Sequence, residues 1–304
     1  MRSLRIGLID LDTSHPANWV PIIRKLGHEV VGVYDSGTVY PSGYSTHFIQ
    51  DHNINRVYSE LAEMADEVDL AIIHSCNWDT HIEKAKPFVR AGKALLIDKP
   101  FAGNVRDLFQ LLEWEKQGVR IAGGSSLRWC KEVKSWNQQH SASDIIFAYA
   151  GCSVDEFNYG IHAYSLLHGI MGSGVHSVRY LGTRNQHQME IIWKDGRRGQ
   201  VGIGATAGYL PFYATVTTNR DVSHLQVDTS SLYESMLEAA LPYLAGDTDS
   251  AIELQALLEV EFAAIAARLS RHEQGKTIFL DDLRSNDDGY DGQLFAAGYR
   301  LQKL

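Results

Sequence analysis

Along the first third of the chain, short runs of consecutive apolar residues alternate with segments whose apolar positions return every three or four residues. Residues 4–9 form the first run, 19–26 carry helical spacing, and 29–34 (EVVGVY) form a β-branched run ending at Asp35. The alternation continues with a helix over 61–65, a strand over 70–75 (LAIIHS), a helix over 81–91 and a strand over 94–97. A helix over 105–117 and a strand over 119–122 complete it. Uninterrupted apolar strands separated by helices predict a parallel sheet covered on both faces. Near GGSS at 123–126 the pattern changes. Residues 145–150, 188–193, 200–206, 212–218 and 223–227 read as strands joined by turns such as KDGRRG and TNRD, which predicts a largely antiparallel sheet. Helices over 232–244 and 252–272 follow, with a late strand, KTIFL, at 276–280.

The predicted fold class is therefore α/β. An N-terminal Rossmann-type parallel-sheet domain spans residues 1–122, and a C-terminal α+β domain with a largely antiparallel sheet spans 123–304. At 304 residues and 44 % hydrophobic content the chain can fill both cores. Its 28 Lys plus Arg stand against 37 Asp plus Glu, a net charge of -9 that argues against nucleic acid or an anionic membrane surface as partner. The three cysteines, Cys76, Cys130 and Cys152, form no CxxC pair and support neither a disulfide framework nor a zinc knuckle. Asp10 and Asp12 interrupt the first apolar run before a secretory core can form, and no later run approaches about 18 apolar residues. A cytoplasmic location is the expectation.

The turn after the first strand, in IGLIDLDTSHPANW, is where a Rossmann chain cradles a pyrophosphate on glycine amides at a helix N-terminus. Laid on the usual GxGxxG, Asp10, Asp12 and His15 occupy the three glycine positions. Asp12, Thr13 or Ser14 can cap the helix, with Pro16 in its first turn, and capping by Asp12 would compete with phosphate binding. If the carboxylates point away, Thr13, Ser14 and His15 remain as donors. Asp35 stands where an acidic residue meets the adenosine ribose, and no arginine follows closely, which favours NAD over NADP. The D-x-D-x-x-H group at 10–15 and the pair His47 and His52 lack spacing that forces ligands onto one ion, so no metal is expected.

Residues 68–102, VDLAIIHSCNWDTHIEKAKPFVRAGKALLIDKPFA, resemble the Gfo/Idh/MocA oxidoreductases. Ser75, Cys76 and Asn77 stand for that family's Ser/Thr-Pro-Asn, His81 for its following histidine, and Asp98, Lys99 and Pro100 for its Glu-Lys-Pro. Arg128 in SSLRW matches an arginine that opens the second domain, and SRHEQGKTIFL at 270–280 is similar to the family's ending. NYGIHAYS aligns Asn158, Gly160, His162 and Ser165 with the family's Asp-x-x-x-His and the Asp three residues on. At about 100° per residue Asn158, His162 and Ser165 share one helical stripe, whereas Phe157, Ile161, Tyr164, Leu167 and Met171 share another. One face would pack and the other would line a cleft.

The resemblance implies a dehydrogenase using NAD, less readily NADP, on a secondary alcohol of a sugar, cyclitol or related polyhydroxylated small molecule. It also implies a homodimer or homotetramer. Cofactor binding would fall to Asp10, Asp12, Thr13, Ser14, His15, Asp35, Ser75, Cys76, Asn77, His81, Asp98, Lys99 and Pro100. Lys99, Arg128, Asn158, His162 and Ser165 would meet the substrate. In catalysis His162 would take the hydroxyl proton, Lys99 would stabilise the developing alkoxide, and Asn158 could orient a hydroxyl but not accept a proton. Asp155 or Glu156 could supply a carboxylate instead, although Ser153 with Glu156 also fits a capping box. The departures at Asp10, Asp12, Cys76, Asn158 and Ser165 leave a second reading, a cofactor-poor relative that binds a ligand or partner without redox chemistry.

Overall fold

A computed structural model describes residues 2–250 and 252–303. The first sheet is built from β1 (Arg5–Ile9), α1 (His15–Lys25), β2 (Glu29–Tyr34), α2 (Tyr44–Asp51), β3 (Val57–Tyr58) and α3 (Leu61–Glu67). The chain continues through β4 (Leu70–Ile73), α4 (His81–Arg90), β5 (Ala94–Asp98), α5 (Val105–Lys116) and β6 (Ile121–Gly124). Six parallel strands lie in the order β3-β2-β1-β4-β5-β6, so the strand order reverses between β1 and β4. Successive side chains of a strand face opposite sides of a sheet, and here both sides are buried. Ile9, Ile73, Leu95 and Ile97 pack with α3, α4 and α5 on one side. Ile6, Leu8, Leu70, Ile72 and Leu96 pack with α1 on the other.

The second half runs through α6 (Lys131–Gln139), β7 (Ile145–Cys152), α7 (Gly160–Met171), β8 (Val175–Thr183), β9 (His187–Trp193) and β10 (Arg198–Ile203). Then come β11 (Tyr213–Thr218), β12 (Val222–Gln226), α8 (Leu232–Ala245), α9 (Leu254–His272), β13 (Ile278–Phe279) and α10 (Gly292–Lys303). Seven strands form a sheet in the order β12-β11-β7-β10-β9-β8-β13, antiparallel except for the β7–β10 pair. The chain also returns to the first sheet. Met236, Leu237, Leu241 and Leu244 of α8 fill the core beside α1. Among the described residues no helix is long and apolar enough to cross a membrane.

Five elements lie outside the sequence pattern: α2, β3, α6, β8 and α10. The strand β8 is interrupted by Arg179 and by two register shifts against β9, which blur its alternation. Helix α7 differs in another way. Sequence spacing gives it one free face, yet nearly every residue from Gly160 to Met171 is buried, because α9, β7 and the turn at 126–129 enclose it.

Candidate active site

The strand-order reversal between β1 and β4 opens the crevice in which open α/β sheets bind their ligands. Asp10, the residue after β1, takes the left-handed backbone conformation (φ 61°) that suits a glycine, one that aspartate tolerates better than most residues. This turns its carboxyl inward, away from α1. Oδ1 accepts from the Ser36 amide at 2.9 Å and its hydroxyl at 2.8 Å, and Oδ2 accepts from Ser75 Oγ and the Lys84 ammonium. Burial opposes the charge, but Lys84 and these donors outweigh it and hold the carboxyl below its usual range. Asp10 is thus paired entirely with groups of the protein itself.

Asp12 does not cap α1. Its Oδ2 accepts from the Cys76 amide at 2.9 Å, and its buried Oδ1 has no partner. Burial and the neighbouring Asp10 push it up to about 6. The N-cap position belongs to Ser14, which makes no side-chain cap bond, and Thr13 Oγ1 accepts from the His15 amide at 3.2 Å. Asp35 accepts from the Gly37 amide at 3.2 Å, and burial raises its pKa.

At the ends of β4 and β5 a second cluster forms. The buried Asp98 Oδ2 accepts from His15 Nδ1 at 2.5 Å and His74 Nδ1 at 3.0 Å, while Oδ1 takes the Lys99 amide at 2.7 Å. Burial opposes its ionisation, but the two imidazoles hold it well below the carboxylate range. An ionised carboxylate only accepts hydrogen bonds, so His15 presents an Nδ1–H to Asp98 and turns Nε2 away from it. The three groups are also close enough together to surround an ion. The shared carboxylate oxygen already satisfies both Nδ1–H groups, which accounts for the cluster without one.

Lys99 donates to Asn158 Oδ1 at 2.8 Å and to the Asn158 carbonyl at 3.3 Å. Burial lowers its pKa, opposed by Asp98. His162 pairs through Nδ1 with Ser125 Oγ at 2.7 Å, and burial followed by the Lys99 charge drives its pKa well down. Lys99, His15 and His162 line one cavity of about 310 Å³ whose walls include Tyr159, Tyr209, Phe212 and Tyr233. Such a volume lies at the lower end for small-molecule sites.

Other expected site residues stand elsewhere. Arg128 borders a separate cavity of about 760 Å³ with Lys131, Lys134 and Glu238. It donates to His168 Nδ1 at 2.6 Å and to the Ala256 carbonyl at 3.1 Å, and His168 donates onward to Glu259 at 2.8 Å, so its guanidinium is engaged within the fold. Ser165 is buried and donates to the Ser125 carbonyl at 3.3 Å, outside the Lys99 cavity. His81 is fully buried between the carbonyls of Phe101 and Ser75. Asn77 caps the short turn at 78–80 by accepting from the Asp79 amide. Ser153 and Glu156 form no capping box: Ser153 accepts from the Leu210 amide and Glu156 pairs with Arg271, while Asp155 holds the turn before α7. Lys84, His74 and Ser125 are the members that sequence reasoning misses. Buried carboxylates at Asp10 and Asp98 demand partners, but nothing in the spacing says which.

As folded, α10 covers the surface at the ends of β2 and β4, on either side of β1. Val39 after β2 and Cys76 after β4 flank β1, and Ala296 of α10 is buried against them with Phe295 and Tyr299 alongside. The Gly292 and Gln293 amides donate to Asp79 Oδ2 at 2.8 and 3.1 Å, which fastens the helix start beside β4.

Residues 7–123 match the Gfo/Idh/MocA family model, described as an oxidoreductase family with an NAD-binding Rossmann fold. No curated protein matches the chain. Among solved structures, myo-inositol dehydrogenase from Lactobacillus casei, in complex with NAD(H) and myo-inositol, aligns at 14% identity over 91% of this chain and 97% of its own, with TM-score 0.78. A UDP-N-acetylglucosamine 3-dehydrogenase from Acidithiobacillus ferrooxidans aligns at 15% identity over 89% and 98%, with TM-score 0.74. An oxidoreductase from Desulfitobacterium hafniense, described as NADPH-dependent, aligns at 14% identity over 93% and 99%, with TM-score 0.80. At these identities the likeness is one of fold.

Proposed function

We propose that the chain is a dehydrogenase of the Gfo/Idh/MocA type that uses NAD in preference to NADP and acts on a secondary alcohol of a small polyhydroxylated molecule. The observation that carries this reading is the convergence of Lys99, His15 and His162 on one cavity at the ends of β4 and β5. In such an oxidation the side chains must hold the hydroxyl and remove its proton. A desolvated ammonium at Lys99 stabilises oxygen as it gains negative charge. His15 Nε2, with its tautomer set by Asp98, is the proton acceptor. His162 accompanies it as a positioning donor or acceptor, and Asn158 keeps the lysine aimed. Inositols and sugar nucleotides are the substrates named for two structures of the same fold, which directs the search to polyols and sugars.

The docked α10 favours the alternative, a ligand-binding relative without redox chemistry. The two readings separate in one experiment. Purified protein is titrated calorimetrically with NADH and NADPH, then assayed with NAD and a panel of inositols and sugars. The dehydrogenase reading expects NADH to bind more tightly than NADPH. It also expects turnover that falls about 10²–10³-fold in Lys99→Met, the size of loss seen when one preorganised electrostatic group is removed. Full activity in Lys99→Met sinks the assignment.

A further inference from the structure

The segment after β13 contributes nothing to either sheet, yet α10 lies across the crevice at the point where the strand order reverses. Its packing stripe is narrow: Gly292, Phe295, Ala296 and Tyr299, spaced i, i+3, i+4 and i+7, face the protein, and the rest of the helix is exposed. Phe295 packs on Trp78 at 5.0 Å between ring centroids. Gly292 sits so close to the turn after β4 that a Cβ there would meet Asn77 Oδ1 at 2.7 Å, the Trp78 amide at 2.8 Å and the Asp79 amide at 2.9 Å. The far face carries Leu294 and Leu301, 72% and 79% exposed. A helix held by one stripe and by bonds at its first turn is seated, but on a small footing.

We propose that α10 is an intramolecular cover of the dinucleotide trough, competing with the cofactor for the surface at Val39, Cys76 and Asn77, and that the cofactor enters by displacing it. This rests on the dinucleotide-dependent reading above. Local opening of a lightly anchored element lies at the low end of the free-energy range within a folded protein, and removing its docked population raises apparent affinity in proportion. The residues that line the cavity of Lys99, His15 and His162 are not among those that α10 packs on, so loosening the helix removes no lining residue.

The test uses the full chain. Gly292→Val inserts a side chain where even a Cβ has no room, and Phe295→Ala removes the contact to Trp78 should the first variant fold poorly. NADH affinity is measured by calorimetry and amide hydrogen exchange is followed over 292–303. The expected result is NADH binding at least tenfold tighter in either variant than in the unmodified protein. In the unmodified protein NADH should speed exchange over 294–303 while slowing it at 75–77. Equal affinities, with 294–303 protected when NADH is bound, overturn the cover and leave the dehydrogenase reading standing. Absence of NADH binding in a variant whose 294–303 amides exchange freely overturns the dehydrogenase reading, and the cover with it.

Discussion

The two ends of the crevice solve the problem of a buried carboxylate in opposite ways. At the β1–β2 end Asp10 meets a lysine, two hydroxyls and an amide, and α10 packs on the neighbouring Val39 and Cys76, so the Asp10 charge is answered internally. At the β4–β5 end Asp98 is answered by two imidazoles, one of which, His15, still has a free nitrogen at a cavity that also holds Lys99 and His162. Completed pairing makes the first end scaffold. Incomplete pairing makes the second end reactive, because chemistry needs a donor or acceptor that the fold has not already used.

The strongest challenge to this contrast is His15→Asn. If His15 Nε2 is the working base, turnover with the substrate found by screening falls about 10²–10⁴-fold, the usual worth of a positioned base, with little change in unfolding midpoint. Turnover within twofold of the unmodified protein would return the proton to His162. The next challenge is Lys84→Met, at the closed end. Asp10 has 0% exposure and loses its cation, so stability should fall by about 3–5 kcal/mol in urea unfolding at pH 7. Since folding lowers the Asp10 pKa, its contribution is present above the ordinary 3.8 and disappears as pH falls below that through the folded value. The variant should lose that part of the acid limb.

How legible these ends were in the sequence follows from the same physics. The parallel sheet could be read because its strands are apolar on both faces, and β2 is predicted at its observed limits, Glu29–Tyr34. The Lys99–His162 pair rests on spacing within a family motif, and the fold brings both to one cavity. Asp10 and Asp12 could be placed at the turn but not aimed, since direction depends on a backbone angle and on Lys84, 74 residues further along the chain. Arg128 and Ser165 matched by position yet bond outside that cavity, Arg128 to His168 and Ser165 to the Ser125 carbonyl. Helix α10 escaped because its stripe of four residues gives little periodic signal.

Asp12 sharpens the contrast with Asp10 on a smaller scale. Folding raises its pKa from 3.8 to about 6, so the folded state holds the proton longer than the unfolded chain. Stability therefore declines as pH rises from about 4 to about 6, by about 3 kcal/mol at a cost of 1.36 kcal/mol per pKa unit. Asp12→Asn should abolish that slope and be more stable than the unmodified protein at pH 7, as read from urea midpoints at successive pH values. A slope that persists in the variant would assign it to another group.

The smallest effect comes from Ser125, which touches His162 and not the reacting atoms. Its hydroxyl lies 2.7 Å from His162 Nδ1 and also accepts from the Leu127 amide at 3.2 Å, so it can donate to the imidazole and fix which nitrogen carries the proton. A single neutral hydrogen bond is worth about 1 kcal/mol, so Ser125→Ala should lower kcat/KM by about fivefold. If the role is positioning, the loss falls on kcat more than on KM, the pH profile shifts, and Ser125→Thr restores most of it. If the bond is merely structural, unfolding stability drops by the same amount while the pH profile stays where it was. That outcome would leave His15 alone as the proton carrier and place His162 with the scaffold, moving the boundary between the closed and the working end of the crevice to the wall formed by α7.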